Sequence, residues 1–289
     1  MKLSAFAPAK VNLFLHVGAV GGDGYHPVCS LMTFADVGDV VAVQPSEARE
    51  FEVTGPFGHE LSGEDDNLVV RAAEALLQGP LPPLRLILDK RLPVAAGLGG
   101  GSSDAGATLR LLSRALELPL QDEALEAIAA RLGADGAACL RAEPVIAEGR
   151  GERLSPAPAM PVLDAVLVNP GVPSSTAAVY RAFDEAGAQG SAECPWLPDR
   201  LESAEDAAAW LGGCRNDLEA PAIALQPAIG EVLETLADER ETLLARMSGS
   251  GATCFALCAG DIEAQGLTER LQAMRPGWWI RRCRLGGPW

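Results

Sequence analysis

Lysine is scarce in this chain: only Lys2, Lys10 and Lys90 occur, against twenty arginines. Lys10 sits in PAKVN beside Asn12. A compact ammonium at a reacting centre is a task arginine performs poorly, which makes Lys10 a candidate, although an exposed lysine at a sheet edge would read the same. Asp135 lies in LGADGAACL, a carboxylate among apolar neighbours. Burial would raise its pKa and a nearby cation would restrain it; a turn or cap aspartate is the plainer reading. Between them runs LPVAAGLGGGSSDAGATL, residues 92–109. Gly97, Gly99, Gly100 and Gly101 lack Cβ atoms, so the backbone can approach a ligand closely. The helix expected after them would offer unpaired N–H groups and the positive end of its dipole to an anion.

The glycine stretch fits none of the commoner patterns. No lysine follows it as a P-loop requires, the dinucleotide spacing ends on Ser102 or Asp104, and neither Ser102 nor Ser103 sits in G-x-S-x-G. A polyphosphate is the expected anion, and a nucleotide the expected ligand, while a serine-capped glycine turn would show similar letters. Asp104, at the helix start, is expected to cap backbone N–H groups, since an anion facing phosphates would be repelled. SGSGAT at 248–253 is a second glycine–serine turn.

Elements that could position these residues follow from periodicity. Residues 10–17 alternate, with Val11, Leu13, Leu15 and Val17 on a core face and Lys10, Asn12, Phe14 and His16 on a mixed one. Residues 21–26 read as a turn, and 39–43, 51–54 and 84–88 as strands. Asn67 would cap a helix through about Leu77. Helices follow the glycine run, with Ala105, Leu109, Leu112 and Leu116 on one face, and again over 122–132. Three prolines in SPAPAMP, 155–161, mark a boundary. Beyond it we expect a strand at 163–168, a helix from Thr176 to about Ala186, a loop over 188–198, and a helix from Pro227 to Leu244. A strand at 253–258, a helix at 262–273 and a strand near 279–285 complete the pattern. Segregated strands and helices predict an α+β fold in two domains, 1–158 and 159–289.

With 48% hydrophobic residues the chain has ample core for this. Its net charge of −16 argues against nucleic acid and anionic membrane as partners, and requires any nucleotide site to be locally positive. Seven scattered cysteines without a CxxC pair read as reduced, packed thiols in a cytoplasmic protein. Lys2 precedes an apolar stretch, but Pro8, Lys10 and Asn12 interrupt it before a signal-peptide core forms. No apolar run reaches a membrane span. His16 and His59 are assigned to packing or surface.

Taken together these stretches resemble the GHMP kinase superfamily. Pro93, Gly97, Leu98, Gly99, Ser102, Ser103 and Ala105 match its phosphate loop. PAKVNLFLHV followed by DGYH, LGAD at 132–135, DNLVVRAA at 66–73, RNDLE at 215–219 and SGSGA at 248–252 resemble one branch. That branch phosphorylates the 2-hydroxyl of a cytidylated polyol, 4-diphosphocytidyl-2-C-methyl-D-erythritol, in the non-mevalonate isoprenoid pathway. The resemblance implies a ribosomal protein S5 domain 2-like N-terminal domain and a ferredoxin-like C-terminal domain. It implies ATP as co-substrate with Mg²⁺, whose ligands stay open, and a monomer or weak homodimer. It assigns Asn67, Leu68, Pro93, Gly97, Leu98, Gly99, Gly100, Gly101, Ser102 and Ser103 to ATP. Asp135 would take the hydroxyl proton, and Lys10 would hold Asp135 ionised and neutralise the transferred oxygens. Asn12, Tyr25, His26, Thr176, Tyr180, Ser248 and Gly249 fall to the substrate. A pyrimidine needs flat partners, and aromatics are only 5% of the chain, which makes the two tyrosines notable. Where the family continues LGAD with Val-Pro-Phe, this chain has Gly136, Ala137 and Ala138.

Overall fold

A computed structural model describes residues 3–61, 66–187 and 190–289. In chain order the strands are β1 (Leu3–Val17), β2 (Val28–Pro45), β3 (Glu50–Thr54), β4 (Leu84–Asp89), β5 (Val145–Gly149), β6 (Arg153–Pro156), β7 (Leu163–Asn169), β8 (Leu244–Met247), β9 (Cys254–Leu257) and β10 (Trp279–Gly286). The helices are α1 (Leu68–Leu77), α2 (Gly100–Ala115), α3 (Asp122–Leu132), α4 (Gly136–Arg141), α5 (Thr176–Glu185), α6 (Ala204–Gly212), α7 (Glu219–Leu225), α8 (Pro227–Ala237) and α9 (Asp261–Met274). The fold is α+β.

One sheet runs β3-β4-β2-β10-β7-β9-β8, with β1 and β5 also on β2 and β6 on β5. Among the described strands only the β3–β4 pair is parallel, with isolated parallel bridges at Leu15–Asn216 and Ala159–Arg200. β2 is the hub. It pairs with β1 along most of its length, while β5 takes Val28–Met32 and β4 takes Val40–Pro45 on the other edge. β10 joins β2 through Ala35 and Phe34, and joins β7 along seven residues, so the sheet continues across residue 158. Helices α1 and α2 lay Val69, Ala72, Leu109 and Leu112 on Leu86 and Leu88 of β4. A second core packs Val166, Val168 and Ala256 against Val179, Ile229, Val232 and Leu267.

Local signals explain several boundaries. Asn67 Oδ1 accepts from the Val69 N–H at 2.9 Å and starts α1. Ser175 caps α5, and Pro227 opens α8, where its missing N–H costs nothing.

Four expectations need correction. β1 does not have a core face and a mixed face: Lys10, Asn12, Phe14 and His16 are as buried as Val11 and Leu13. Residues 215–217 pair with its free edge, with Leu15 N–H donating to the Arg215 carbonyl and Asp217 N–H to the Leu15 carbonyl. α8 ends at Ala237, because Leu244 leaves the helical pattern to pair in β8 with Leu257. The first boundary proline, Pro156, belongs to β6 and pairs with Val145. The cysteines are not all free thiols: Cys29 of β2 and Cys194 form a disulfide, with Cα atoms 5.4 Å apart and a sequence separation of 165. The other five are free and buried. Residues 190–198 form a strap without regular structure, as expected of 188–198, of which 188 and 189 lie outside the described residues. No described helix is long and apolar enough to cross a membrane.

Candidate active site

The glycine loop before α2 is held by two backbone hydrogen bonds and one serine hydroxyl. Lys10 N–H donates to the Leu98 carbonyl at 2.8 Å, and Thr253 N–H to the Ala96 carbonyl at 3.0 Å. Ser248 Oγ donates to the Gly97 carbonyl at 2.9 Å and accepts from Asn12 N–H at 3.1 Å. Asn216, in RNDLE, donates from one amide to the Met247 and Gly249 carbonyls at 2.8 Å each. The SGSGAT turn is thereby pressed onto the loop. Gly97 and Gly99 have φ of +75° and +61°, and a Cβ on Gly99 would lie 3.0 Å from the Lys10 Cε. Gly99 caps α2, and Ser103 N–H is the first with an intrahelical acceptor, the Gly99 carbonyl at 2.9 Å. The donors left for a ligand are therefore the N–H groups of Gly100, Gly101 and Ser102.

A cavity of about 800 Å³ opens beside this turn. Of the residues assigned to ATP, Asn67, Leu68 and Pro93 line it, together with Gly97 to Ser102. Ser103 does not. It is fully buried and its hydroxyl lies beside Cys139, so the expected contact of that side chain with phosphate is withdrawn.

Lys10 and Asp135 converge in the same cavity: Lys10 Nζ stands 3.0 Å from Asp135 Oδ2, with the lysine side chain 5% and the aspartate 28% exposed. Lys10 also donates to Asn12 Oδ1 at 2.6 Å, and Asn12 is fixed in turn through Ser30 Oγ at 2.7 Å. Asp135 begins α4, but its side chain caps nothing and is left for the cavity. The unusual Gly136 has a steric reason, since a Cβ there would overlap the Ala129 carbonyl. Ala137 and Ala138 are buried in the same tight seat.

At the other end, Thr176 Oγ1 and Ser250 Oγ share a hydrogen bond of 2.8 Å at the start of α5. Tyr180, one turn on, lines the cavity, and burial followed by the Asp135 charge pushes its phenol up to about 12. The His26 ring lies 5.0 Å from the Tyr180 ring, its Nδ1 meets the Gly18 carbonyl at 2.9 Å, and its Nε2 lies 3.3 Å from Asp184. Among the residues assigned to substrate, Asn12, Thr176, Tyr180 and Gly249 line the cavity, whereas Tyr25, His26 and Ser248 do not. Ser248 is wholly buried as a brace between β1 and the loop. Tyr25 is 56% exposed, with the Arg150 guanidinium 4.1 Å from its ring centre.

Sequence reasoning missed Lys90. It is buried between Asp39 Oδ2 at 2.5 Å and Asp104 Oδ2 at 2.9 Å, directly beneath Gly100. Its scarcity as a residue type, the signal that singled out Lys10, applied equally. Asp104 does not cap α2, as expected from its position; it turns into the core to reach Lys90. Burial, opposed by Lys90 and assisted by the second carboxylate of Asp39, raises the Asp104 carboxyl to about 7. For Lys90, burial works downward, but the two carboxylates outweigh it and its pKa is raised. His16 is a packing residue, accepting from the Arg215 N–H at 3.2 Å. His59 is at the surface.

Known proteins place this arrangement. Residues 67–143 match the GHMP kinases N terminal domain and residues 198–276 the GHMP kinases C terminal domain. A 4-diphosphocytidyl-2-C-methyl-D-erythritol kinase from Caulobacter vibrioides is 68% identical, over 99% of this chain and 100% of that protein. A crystal structure of 4-(cytidine 5'-diphospho)-2C-methyl-D-erythritol kinase superimposes with a TM-score of 0.75 at 34% identity, covering 99% of this chain and 100% of its own. Homoserine kinase from Cytophaga hutchinsonii shares the fold alone, with a TM-score of 0.68 at 19% identity over 97% and 94% of the two chains. With both family domains matched in order and such relatives along its full length, the chain belongs to the 4-diphosphocytidyl-2-C-methyl-D-erythritol kinases of the GHMP kinase family.

Proposed function

We propose that this protein transfers the γ-phosphoryl group of ATP to the 2-hydroxyl of 4-diphosphocytidyl-2-C-methyl-D-erythritol, giving the 2-phosphate and ADP in the non-mevalonate isoprenoid pathway. The observation that carries the reading is the 3.0 Å Lys10–Asp135 pair set in one cavity with the open first turn of α2. Phosphoryl transfer depends mainly on positioning and charge stabilisation. The N–H groups of Gly100, Gly101 and Ser102 receive phosphate oxygens. Asp135 accepts the proton of the attacking hydroxyl, a role worth about 10²–10⁴-fold in general. Lys10, anchored by Asn12, fixes the carboxylate and faces the charge that moves from donor to acceptor. Residues 1–158 supply the ATP loop and the reacting pair, and 159–289 supply Thr176, Tyr180 and the 248–252 turn.

Among the described residues no three His, Cys, Asp or Glu side chains form a metal cluster. Mg²⁺ suits the site as MgATP, held mainly by phosphate oxygens, with Asp135 and Ser102 as the nearby oxygen donors. When bound it would neutralise phosphate charge.

The Tyr180 ring, which lines the cavity with the His26 ring 5.0 Å from it, favours a cytidylated acceptor over a small hydroxy acid, because it offers a flat surface suited to a pyrimidine. ADP release measured with the cytidylated alcohol, mevalonate and homoserine tests this. Turnover confined to the cytidylated alcohol is expected. Preference for another acceptor, or no turnover with any, overturns it.

A further inference from the structure

Among the described residues three cations line the cavity, and two are held in buried ion pairs: Lys10 with Asp135, and Lys90 between Asp39 and Asp104. The third is Arg150, in the turn between β5 and β6. Its backbone is fixed there, with Arg150 N–H donating to Glu152 Oε2 at 2.6 Å and Gly151 N–H to the Glu148 carbonyl at 3.1 Å. Gly151 rests against Ala134, so a Cβ on it would come 3.3 Å from the Ala134 carbonyl. Arg150 is thus one residue from the segment that carries Asp135.

Its side chain reaches the other way. Nη2 donates to Asp23 Oδ2 at 2.6 Å, and the guanidinium covers the Tyr25 ring. Arg150 lines the cavity where Tyr25 does not. It is half-exposed, and the pair with Asp23 is solvated, so it exchanges partners at little cost. An acceptor with its alcohol at Asp135 and its base at Tyr180, both on the cavity wall, must run its linker between these points. That linker is a diphosphate, and a chain of net charge −16 needs a local cation to receive it. A guanidinium matches phosphate oxygens with a planar fork of donors.

We propose that Arg150 binds the diphosphate of the acceptor, with Asp23 and Tyr25 holding its guanidinium ready. This rests on the proposed cytidylated acceptor. The test is calorimetric titration of the wild-type protein, Arg150→Gln and Arg150→Lys with CDP and with cytidine. The wild type should bind CDP more tightly than cytidine. Arg150→Gln should weaken CDP by about tenfold or more, the range of a charged hydrogen bond, and cytidine by less than about twofold. Arg150→Lys, which keeps the charge but loses the planar fork, should fall between the wild type and Arg150→Gln for CDP. Melting curves check that the variants fold, as a surface position should allow. Equal losses for CDP and cytidine, or none, would overturn the assignment, as would a wild type indifferent to the diphosphate. Wild-type turnover of the cytidylated alcohol, measured separately, reports on the proposed reaction and not on Arg150.

Discussion

Replacing Gly97 by alanine should open the phosphate loop, and the cost can be worked out from its surroundings. Gly97 has φ of +75°, where an L-residue costs about 1–2 kcal/mol. The added Cβ would overlap the Ser248 carbonyl oxygen and lie 2.8 Å from that of Gly251. Both are backbone atoms of a braced turn, in which Ser248 N–H donates to the Thr253 carbonyl and Gly251 N–H to the Ser248 carbonyl. They do not yield as a flexible side chain would. Overpacking of this kind costs about 1–3 kcal/mol. The sum, about 2–5 kcal/mol, corresponds to a fall of roughly 3–8 °C in Tm for a chain of this size. Gly101→Ala is the control. It is helical, its Cβ would meet only the Leu68 Cδ1 at 3.1 Å, and alanine gains about 1 kcal/mol of helix propensity over glycine. Thermal melting and calorimetric ATP titration of the two variants separate them. Gly97→Ala should melt lower and lose most ATP affinity, while Gly101→Ala keeps its melting temperature. A Gly97→Ala protein melting within about 2 °C of wild type with full ATP affinity would refute the claim that the two glycine turns close on each other.

Lys10→Ala removes the ammonium 3.0 Å from Asp135, so kcat should fall by about 10²-fold or more while the KM for ATP changes less; an unchanged kcat would contradict the pairing. Asp104 gives a pH signature. Its folded pKa, about 7, is raised above the ordinary 3.8, so its contribution to stability is full below about pH 4 and is lost as pH rises through 7. Asp104→Asn removes that loss, and its Tm relative to wild type should climb between pH 5 and pH 8 as the wild-type carboxyl ionises. A constant difference across that range would show that Asp104 is already ionised at the lower pH.

Much of the frame was legible in the chain because local chemistry dictates it. The Asn67 cap, the glycine opening of α2 and Pro227 at the start of α8 each act within a turn of the residue read. The loop, Lys10 and Asp135 were legible for a different reason: their residue types and order match a family pattern. What escaped depends on distant partners. The Cys29–Cys194 bond joins β2 to a strap that no spacing rule connects to it. Both faces of β1 are buried because distant segments pack on them, Phe14 against Trp210 and His16 against the Glu193 carbonyl. Asp104 looked like a cap by position, and only Lys90, just past the end of β4, and Asp39 of β2 show why it turns inward. The short helices α4, α6 and α7 carry too few turns for periodicity to mark them. Tyr25 was legible as an aromatic near the substrate segment, but not the arginine that covers it.

The central claim is that Asp135 removes the acceptor's proton beside a backbone cradle that holds ATP independently of it. Asp135→Asn preserves shape and removes the base. Single-turnover phosphoryl transfer from ATP to the cytidylated alcohol, with ATP affinity measured on the same protein, is the most direct test. Transfer should fall by at least about 10²-fold with ATP affinity nearly intact. Transfer at the wild-type rate would contradict that claim.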